Sequence, residues 1–273
     1  MQITEPGLVH DLSEREYHSD PVGAGSLSST MAKLILKSPA HLRHYMDAPR
    51  ESKAAFDFGS VVHGLVLGKG WDVAALDYDS WRTKEAREAR AEVEAQGKIA
   101  LLQKDYAEAQ AVADAVKGHP AAAKLFKRGD AEVSAFGQHD SGVWLRGRFD
   151  WLVSGIIVDL KTVRSADPRR FNRTTFDFGY EIQAAHYREV HRLATGEYPR
   201  DFIHVLVEKE PPYAVSVVRL DAQFLDAGHQ RLETAIARYR HATETGEWAG
   251  YGTRIHEINP MPWMAAIEDE IQE

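Results

Sequence analysis

The feature that most restricts the fold is a pair of strand-like segments separated only by Ser154-Gly155: VWLRGRFDWLV (143–153) and IIVDLKTV (156–163). Short segments rich in β-branched and aromatic residues, joined by a two-residue turn that contains glycine, predict a β-hairpin. With this turn, Asp150 lies directly opposite Asp159. The two Cβ atoms would then be about 4.5–5.5 Å apart, where like charges repel.

Because side chains alternate along a strand, the hairpin has two chemically different faces. The face predicted to lie in the core is wholly apolar: Phe149, Trp151, Val153, Ile156, Val158 and Leu160. The other face collects Arg148, Asp150, Leu152, Ile157, Asp159 and Lys161, so the charged residues of the hairpin share one side. Two apolar side chains on the charged face indicate that this face is partly covered.

Closely spaced carboxylates in a partly covered site are unfavourable unless a cation neutralises them. A divalent metal ion held by Asp150 and Asp159 meets this requirement, with Lys161 in reach of the same site. The alternative is an exposed hairpin on which Arg148 and Lys161 offset the aspartates as surface salt bridges. The chemistry favoured by the first arrangement is phosphodiester hydrolysis, in which Lys161 orients water or stabilises the transition state.

The absence of cysteine narrows the kind of metal. It excludes disulfides, thiolate zinc sites, iron–sulfur clusters and cysteine nucleophiles. Ligands drawn from carboxylates, histidine and carbonyls suit hard ions, so Mg²⁺ or Mn²⁺ is expected.

Helices surround the strand-rich centre in the remaining sequence. Further strands are expected at AEVSAFG (131–137), FIHVLVEK (202–209) and YAVSVVRL (213–220). Helices are expected as a pair within 26–48, at 54–68, at 82–117 with a break near Gly97, at 180–194, at 222–245 and at 262–271. This order predicts an α/β sheet with helical cover. No apolar run approaches the length of a membrane span or signal peptide, so a cytoplasmic protein is expected.

The formal net charge of −8 is unfavourable for binding DNA, but the charge is unevenly distributed. Residues 221–273 hold ten acidic and four basic residues and contribute −6. Local basic clusters lie elsewhere: Lys33, Lys37, Arg43, Arg50 and Lys53, and then Lys161, Arg164, Arg169, Arg170 and Arg173. Phosphate contacts are local, so the stretch 164–173 is interpreted as a loop that contacts the DNA backbone. The alternative is that each cluster is a solvated face.

Asp150 followed by Asp159-Leu160-Lys161 resembles the motif of the PD-(D/E)xK nuclease superfamily. The longer segments GRFDWLVSGIIVDLKTVRSADPRRF and YEIQAAHYREV resemble the exonuclease VIII (RecE-type) family of phages and prophages. SLSSTMAKLILKSPAHLRHY and FDFGSVVHGLVLG, nearer the N-terminus, resemble the same family.

The resemblance implies a restriction-endonuclease-like core, with a mixed central sheet flanked by helices and a helical N-terminal region. Residues 1–125 would form that helical region, 126–220 the catalytic core and 221–273 a C-terminal helical cover. The metal site would add three groups to the two aspartates: His63, Glu132 and the backbone carbonyl of Leu160. Gln183 and Tyr187 match a Q-x-x-x-Y motif and would contact DNA or brace the site.

The activity implied by the resemblance is degradation of linear duplex DNA from 5′ ends. The 3′ single strands left behind would serve a single-strand annealing recombinase in a bacterial host, and a ring-shaped homo-oligomer would be compatible with processive digestion. The alternatives are a catalytically silent DNA-binding or recombination scaffold, and an endonuclease or single-strand nuclease of the same fold. A non-nuclease metal hydrolase is a further alternative, which the basic clusters disfavour.

Overall fold

A mixed seven-stranded sheet forms the centre of the computed structural model, which describes residues 1–48, 58–70 and 72–260. The strands are Gly7–Val9 (β1), Ser26–Ser28 (β2), Val73–Leu76 (β3), Ile99–Leu102 (β4), Asp130–Gln138 (β5), Trp144–Val153 (β6), Ile156–Val163 (β7), Asp201–Glu208 (β8) and Val215–Arg219 (β9). The large sheet has the order β1-β5-β6-β7-β8-β9, with β2 beside β6. β7 and β8 are parallel, as are β2 and β6, and the other neighbours are antiparallel. β3 and β4 form a separate parallel pair.

Helices cover both faces of the sheet. They are Glu14–His18 (α1), Ser29–Lys37 (α2), Pro39–Asp47 (α3), Phe58–Leu67 (α4), Lys84–Ala95 (α5), Gln103–Gly118 (α6), Pro120–Leu125 (α7), Pro168–Phe178 (α8), Tyr180–Thr195 (α9) and Ala222–Thr245 (α10). One core cluster joins the sheet to α2, α9 and α10, and a second joins it to α4, α6 and α7. The predicted fold class, a mixed sheet flanked by helices, is confirmed. No helix in the described ranges is long and apolar enough to cross a membrane.

Most predicted elements are present, with local corrections. The first helix of the pair predicted within 26–48 starts at Ser29 as α2, because residues 26–28 pair with β6 as a strand. The expected break near Gly97 separates α5 from α6 and also contains β4, which the helical prediction missed. β1 and β3 were missed as well. The predicted helix at 262–271 and residues 54–57 of another lie outside the described residues.

The contact between α9 and α10 depends on a glycine. A Cβ atom added to Gly228 of α10 would lie 2.2 Å from the carbonyl oxygen of Glu181 at the start of α9. That separation is far below any real contact with a backbone atom. Only glycine therefore lets the two helices approach this closely.

We expect Gly228→Ala to lower the free energy of unfolding by about 1–3 kcal/mol, because the helices must separate. Gly118→Ala is the matched control, since nothing lies within 4 Å of the added atom at the end of α6. The free energy of unfolding of the control should differ from that of the parent by no more than about 1 kcal/mol, since alanine has a higher helix propensity than glycine. Chemical denaturation measures both, and equal stabilities of the two variants would contradict the packing argument.

Candidate active site

The site lies where β6 changes partner. Along the edge opposite β5, residues 144–146 of β6 pair with β2, and residues 151–153 pair with β7. Residues 147–150 lie between these ladders, and the described chain places no paired residue beside them on that edge. β7 diverges here because its whole length pairs with β8. The sheet therefore forks at Asp150.

The fork changes the predicted pairing of the hairpin. The β6–β7 ladder follows the expected register but ends at Trp151–Val158, one position before the expected Asp150–Asp159 pair. Asp150 instead accepts a hydrogen bond from the backbone N–H of Leu160 through Oδ2, at 2.8 Å. A side-chain oxygen thus takes the place of the missing ladder partner.

The prediction that Phe149 and Trp151 share one face is wrong. Phe149 belongs to the core cluster under α9, whereas Trp151 belongs to the cluster under α4 and α6. The alternation of side chains between the two faces reverses at Asp150 in β6 and at Glu132 in β5. Glu132 lies between two residues of β5 that pair with β6, Ala131 with Trp151 and Val133 with Phe149. Glu132 has a positive φ of 56°, so the distortion is present in both strands.

Arg148 does not act as a counter-charge of the aspartates, the role that the alternative of an exposed hairpin gave it. Its Nε donates to Glu132 Oε2 at 2.5 Å, and Nη1 donates to the carbonyl oxygen of Leu12 at 2.9 Å and to Ser134 Oγ at 3.2 Å. The reversed alternation turns this side chain toward the N-terminal segment. Arg148 therefore fixes Glu132 rather than the hairpin aspartates.

Three groups with metal-ligand chemistry meet at the fork. His63, Glu132 and Asp150 each present one ligand atom, and these atoms lie within 4.8 Å of one another. His63 Nδ1 is 3.7 Å from Asp150 Oδ2, and Nε2 donates to the carbonyl oxygen of Leu160 at 2.7 Å. Two carboxylates, an imidazole and a nearby carbonyl fit a divalent cation such as Mg²⁺ or Mn²⁺.

The electrostatic environment of Asp150 also favours a bound divalent cation. Burial raises the pKa of Asp150 to about 6, the negative charges of Asp159 and Glu132 add to the rise, and His63 and Lys161 oppose it. Burial disfavours the charged form of a carboxyl group, and a nearby positive charge offsets that effect. A cation bound between the three groups would supply that charge.

Asp159 lies in a different environment, although it is close in sequence. It is fully buried and accepts hydrogen bonds from Lys161 Nζ at 2.9 Å, from Gln183 Nε2 at 2.8 Å and from His204 Nδ1 at 3.1 Å. Burial alone would raise the pKa of Asp159, but Lys161 and His204 together hold it well below its usual value. Its carboxylate is not part of the three-residue cluster defined above.

Lys161 stays positively charged in this site. Burial lowers the pKa of its ammonium group, but Asp159 and Asp150 raise it above the ordinary value. Its Nζ atom also lies 5.4 Å from the ring centroid of Tyr180. The predicted catalytic lysine is therefore held between a carboxylate and an aromatic ring.

The two residues of the Q-x-x-x-Y motif have different surroundings. Gln183 binds Asp159, whereas Tyr187 is only 8% exposed and contacts Phe149 edge-on at 5.3 Å between ring centroids. Both lie on α9, one helical turn apart. The geometry favours bracing of the site over contact with DNA for both residues.

The predicted DNA-contacting loop at 164–173 is largely a helix. Arg164 is exposed in the bend after β7, but Arg169 and Arg170 lie in the first turn of α8. Asp167 caps this helix and Pro168 takes its first position, a signal that the sequence contained. Asp167 also binds Arg169 at 2.8 Å, so part of that charge is already compensated.

The sequence of this chain matches a family profile described as a PDDEXK-like domain of unknown function (DUF3799) over residues 28–258. The chain belongs to this PDDEXK-like family. No curated protein sequence matches the chain at a significant level. The predicted membership of the PD-(D/E)xK superfamily is confirmed, and the resemblance to RecE-type nucleases is consistent with it.

Several solved structures are similar to this chain. A putative exonuclease from Eubacterium rectale is 17% identical with a TM-score of 0.63, and the match covers 94% of this chain and 98% of that one. A phage-related exonuclease from Haemophilus somnus 129PT is 13% identical with a TM-score of 0.36, covering 81% and 96%. An alkaline exonuclease from Laribacter hongkongensis is 11% identical with a TM-score of 0.31, covering 80% and 90%. The first similarity supports the fold of a PDDEXK-like domain.

Within this PDDEXK-like domain, sequence reasoning missed His204. It is fully buried on β8 directly beside Asp159, and its Nδ1–H orients that carboxylate. The available signal was a single polar residue inside the apolar strand FIHVLVEK. Its partner became apparent only when β8 was placed parallel to β7.

We expect Asp150→Asn to remove metal binding without unfolding the protein. Asparagine keeps an acceptor for the Leu160 N–H but removes the charge. Because the folded pKa of about 6 exceeds the ordinary 3.8, the metal-free parent loses stability as pH rises from about 4 through 6. At pH 7.5 in EDTA, the melting temperature of the variant should therefore equal or exceed that of the parent. The free energy of unfolding should increase by at most about 3 kcal/mol.

Addition of Mg²⁺ or Mn²⁺ should raise the melting temperature of the parent and leave that of Asp150→Asn unchanged. Asp226→Asn, at an exposed position of α10, is the control and should respond as the parent does. An equal metal-induced rise in Asp150→Asn would show that the cluster is not the metal site.

Proposed function

We propose that this chain is a metal-dependent exonuclease that degrades linear double-stranded DNA. Mg²⁺ or Mn²⁺ would be held by His63, Glu132 and Asp150, with the carbonyl of Leu160 and the carboxylate of Asp159 adjacent. DNA ends would be the substrate. The direction would be 5′→3′, leaving 3′ single-stranded tails in the cytoplasm of a bacterial host.

The observation that carries this proposal is the position of Leu160. Its N–H binds Asp150 and its carbonyl binds His63, while its chain neighbours are Asp159 and Lys161. One backbone position thus joins a cation-binding cluster to an aspartate–lysine pair. This combination can supply the chemistry of metal-dependent phosphodiester hydrolysis.

The residues of the chain have separable roles in such a reaction. A bound divalent metal would polarise the scissile phosphate and lower the pKa of an attacking water. Lys161 supplies a fixed positive charge to the pentavalent phosphate or orients the water. Asp159 holds Lys161 by its Nζ atom at 2.8 Å, and Gln183 and His204 hold Asp159 in turn.

Exposed arginines follow the reactive strand directly. Arg164 lies after the end of β7, and Arg169 and Arg170 project from the first turn of α8. Because salt screens charges beyond about 8–10 Å, these arginines influence DNA more than the distant acidic residues do. They would bind the phosphate backbone of a substrate whose scissile phosphate is at Lys161.

Resemblance to other nucleases supports the substrate, the direction of digestion and the partner in this proposal. The RecE-like sequence segments support duplex DNA, 5′→3′ direction and delivery of the product to a single-strand annealing recombinase. The similar solved structures carry names that specify exonucleases. A homo-oligomeric ring around the DNA would be compatible with processive digestion.

The test uses a linear duplex labelled at its 5′ or its 3′ end, and a closed circular duplex, each with Mg²⁺ and with EDTA. A 5′→3′ exonuclease releases the 5′ label at once and the 3′ label late, and leaves the circle intact. Cutting of the circle would instead identify an endonuclease. Binding without any cutting would identify a silent scaffold.

Lys161→Ala and Asp159→Asn should each reduce the rate of digestion of linear duplex by about 100-fold or more, the usual loss when a transition-state contact is removed. Lys117→Ala, at an exposed position of α6, should digest at the parent's rate. Circular dichroism and DNA affinity in EDTA would establish that the variants fold and bind. Metal-dependent digestion by both site variants at the parent's rate would refute the assignment.

A further inference from the structure

An aromatic stack extends from the interior of the site to the surface. Tyr180 stacks with Phe171 at 5.6 Å and 20°, and with Phe178 at 5.8 Å and 16° between ring planes. Phe171 is buried, Tyr180 is partly buried and Phe178 is 64% exposed. A large apolar ring at the open end of such a stack offers a surface for another flat ring.

Two lysines flank the central ring. Lys33 Nζ and Lys161 Nζ each lie 5.4 Å from the centroid of Tyr180. Lys161 is bound to Asp159, whereas Lys33 has no hydrogen bond or ion pair among residues 1–48, 58–70 and 72–260. Burial and the like charge of Lys161 lower the pKa of Lys33 to about 8. Lys33 is therefore a partly buried cation beside the reactive lysine, and within the described part of the chain it forms no direct ion pair with the nearby Asp159 or Glu181.

An unpaired nucleotide matches both features. Its base is a flat ring for Phe178 and its phosphate is an anion for Lys33. Base stacking on an aromatic side chain combined with a cation for the backbone is the usual mode of binding single-stranded nucleic acid. The stack is also continuous with the candidate catalytic site, because Tyr180 contacts Lys161 directly.

Resting on the proposed nuclease function, we propose that Lys33, Phe178 and Tyr180 bind the unpaired nucleotide next to the scissile phosphate. The base stacks on Phe178 over Tyr180, and Lys33 binds the phosphate of the same strand. Because stacking does not distinguish one base edge from another, this contact is independent of sequence. It would hold the strand being degraded after the end of the duplex has separated.

The chain offers a matched control for Lys33 and for Phe178. Lys37 is exposed on α2, one helical turn beyond Lys33. Phe176 is 61% exposed on α8, but its ring packs on the guanidinium group of Arg231 at 4.9 Å rather than on Tyr180. Lys33→Met keeps the length of the side chain but removes the charge, and Phe178→Leu keeps an apolar side chain but removes the ring. Lys37→Met and Phe176→Leu repeat the same changes outside the stack.

Binding is measured by fluorescence anisotropy with a labelled single-stranded oligothymidylate of about 12 nucleotides, in EDTA so that cleavage cannot occur. Phe178→Leu should weaken binding by roughly 5- to 100-fold, the usual loss for one stacked base. Lys33→Met should weaken binding and also reduce the slope of log affinity against log salt by about 0.7, because one phosphate contact is lost. Phe178→Leu should leave that slope unchanged.

The control variants should bind as the parent does. Parent-like affinity in Lys33→Met and Phe178→Leu, or equal weakening in test and control variants, would overturn the nucleotide site. A parent that binds the oligothymidylate through these residues but digests no duplex with Mg²⁺ would refute the proposed nuclease function instead. A parent that digests duplex while all four variants bind normally would refute the nucleotide site alone.

Discussion

The backbone of Leu160 is the constraint on which the site depends. Its side chain is fully buried in the core beneath α4 and α6, so the residue cannot rotate. Its N–H and carbonyl face the gap left by the fork between β6 and β7. In an ordinary strand these groups would pair with a neighbour, and leaving them unpaired would be unfavourable. Asp150 and His63 replace that neighbour. The side chains that satisfy the backbone of Leu160 are therefore also side chains of the candidate metal site.

The two aspartates are chemically different because their surroundings differ. Asp159 receives hydrogen bonds from three side chains, so its negative charge is compensated within the protein. Asp150 has one backbone donor and acidic neighbours, and burial raises its pKa. Environments that separate the pKa values of two carboxyl groups commonly mark different tasks. Side chains of the protein compensate the negative charge of Asp159. The negative charge of Asp150 is the one that a bound cation would compensate.

Much of the fold is predictable from the sequence because local patterns agree with it. The hairpin turn, the long helices and the order of strands and helices follow from apolar spacing, caps and glycines. Strands of three or four residues, such as β1 and β3, have too few positions for a pattern. β2 was assigned to the start of a helix because its strand character comes only from pairing with β6, more than a hundred residues away. Asp167-Pro168 carried the signal for the start of α8, but the stretch was interpreted as a loop because of its basic residues.

The site is less predictable than the fold because its geometry comes from long-range pairing. Sequence placed Asp150 and Asp159 near one turn, and that proximity follows from the hairpin alone. The fork does not follow from the hairpin. It requires β2 to pair with one part of the β6 edge, and it requires β8 to hold β7 away from the neighbouring part of that edge. The same fork ends the ladder before the two aspartates, and the alternation of side chains reverses there at Asp150. His204 reaches Asp159 only through the parallel β7–β8 pairing. A strict alternation rule therefore identifies the reactive residues but assigns Arg148 and Phe149 to the wrong faces, because a site of this kind requires a break in the regular sheet.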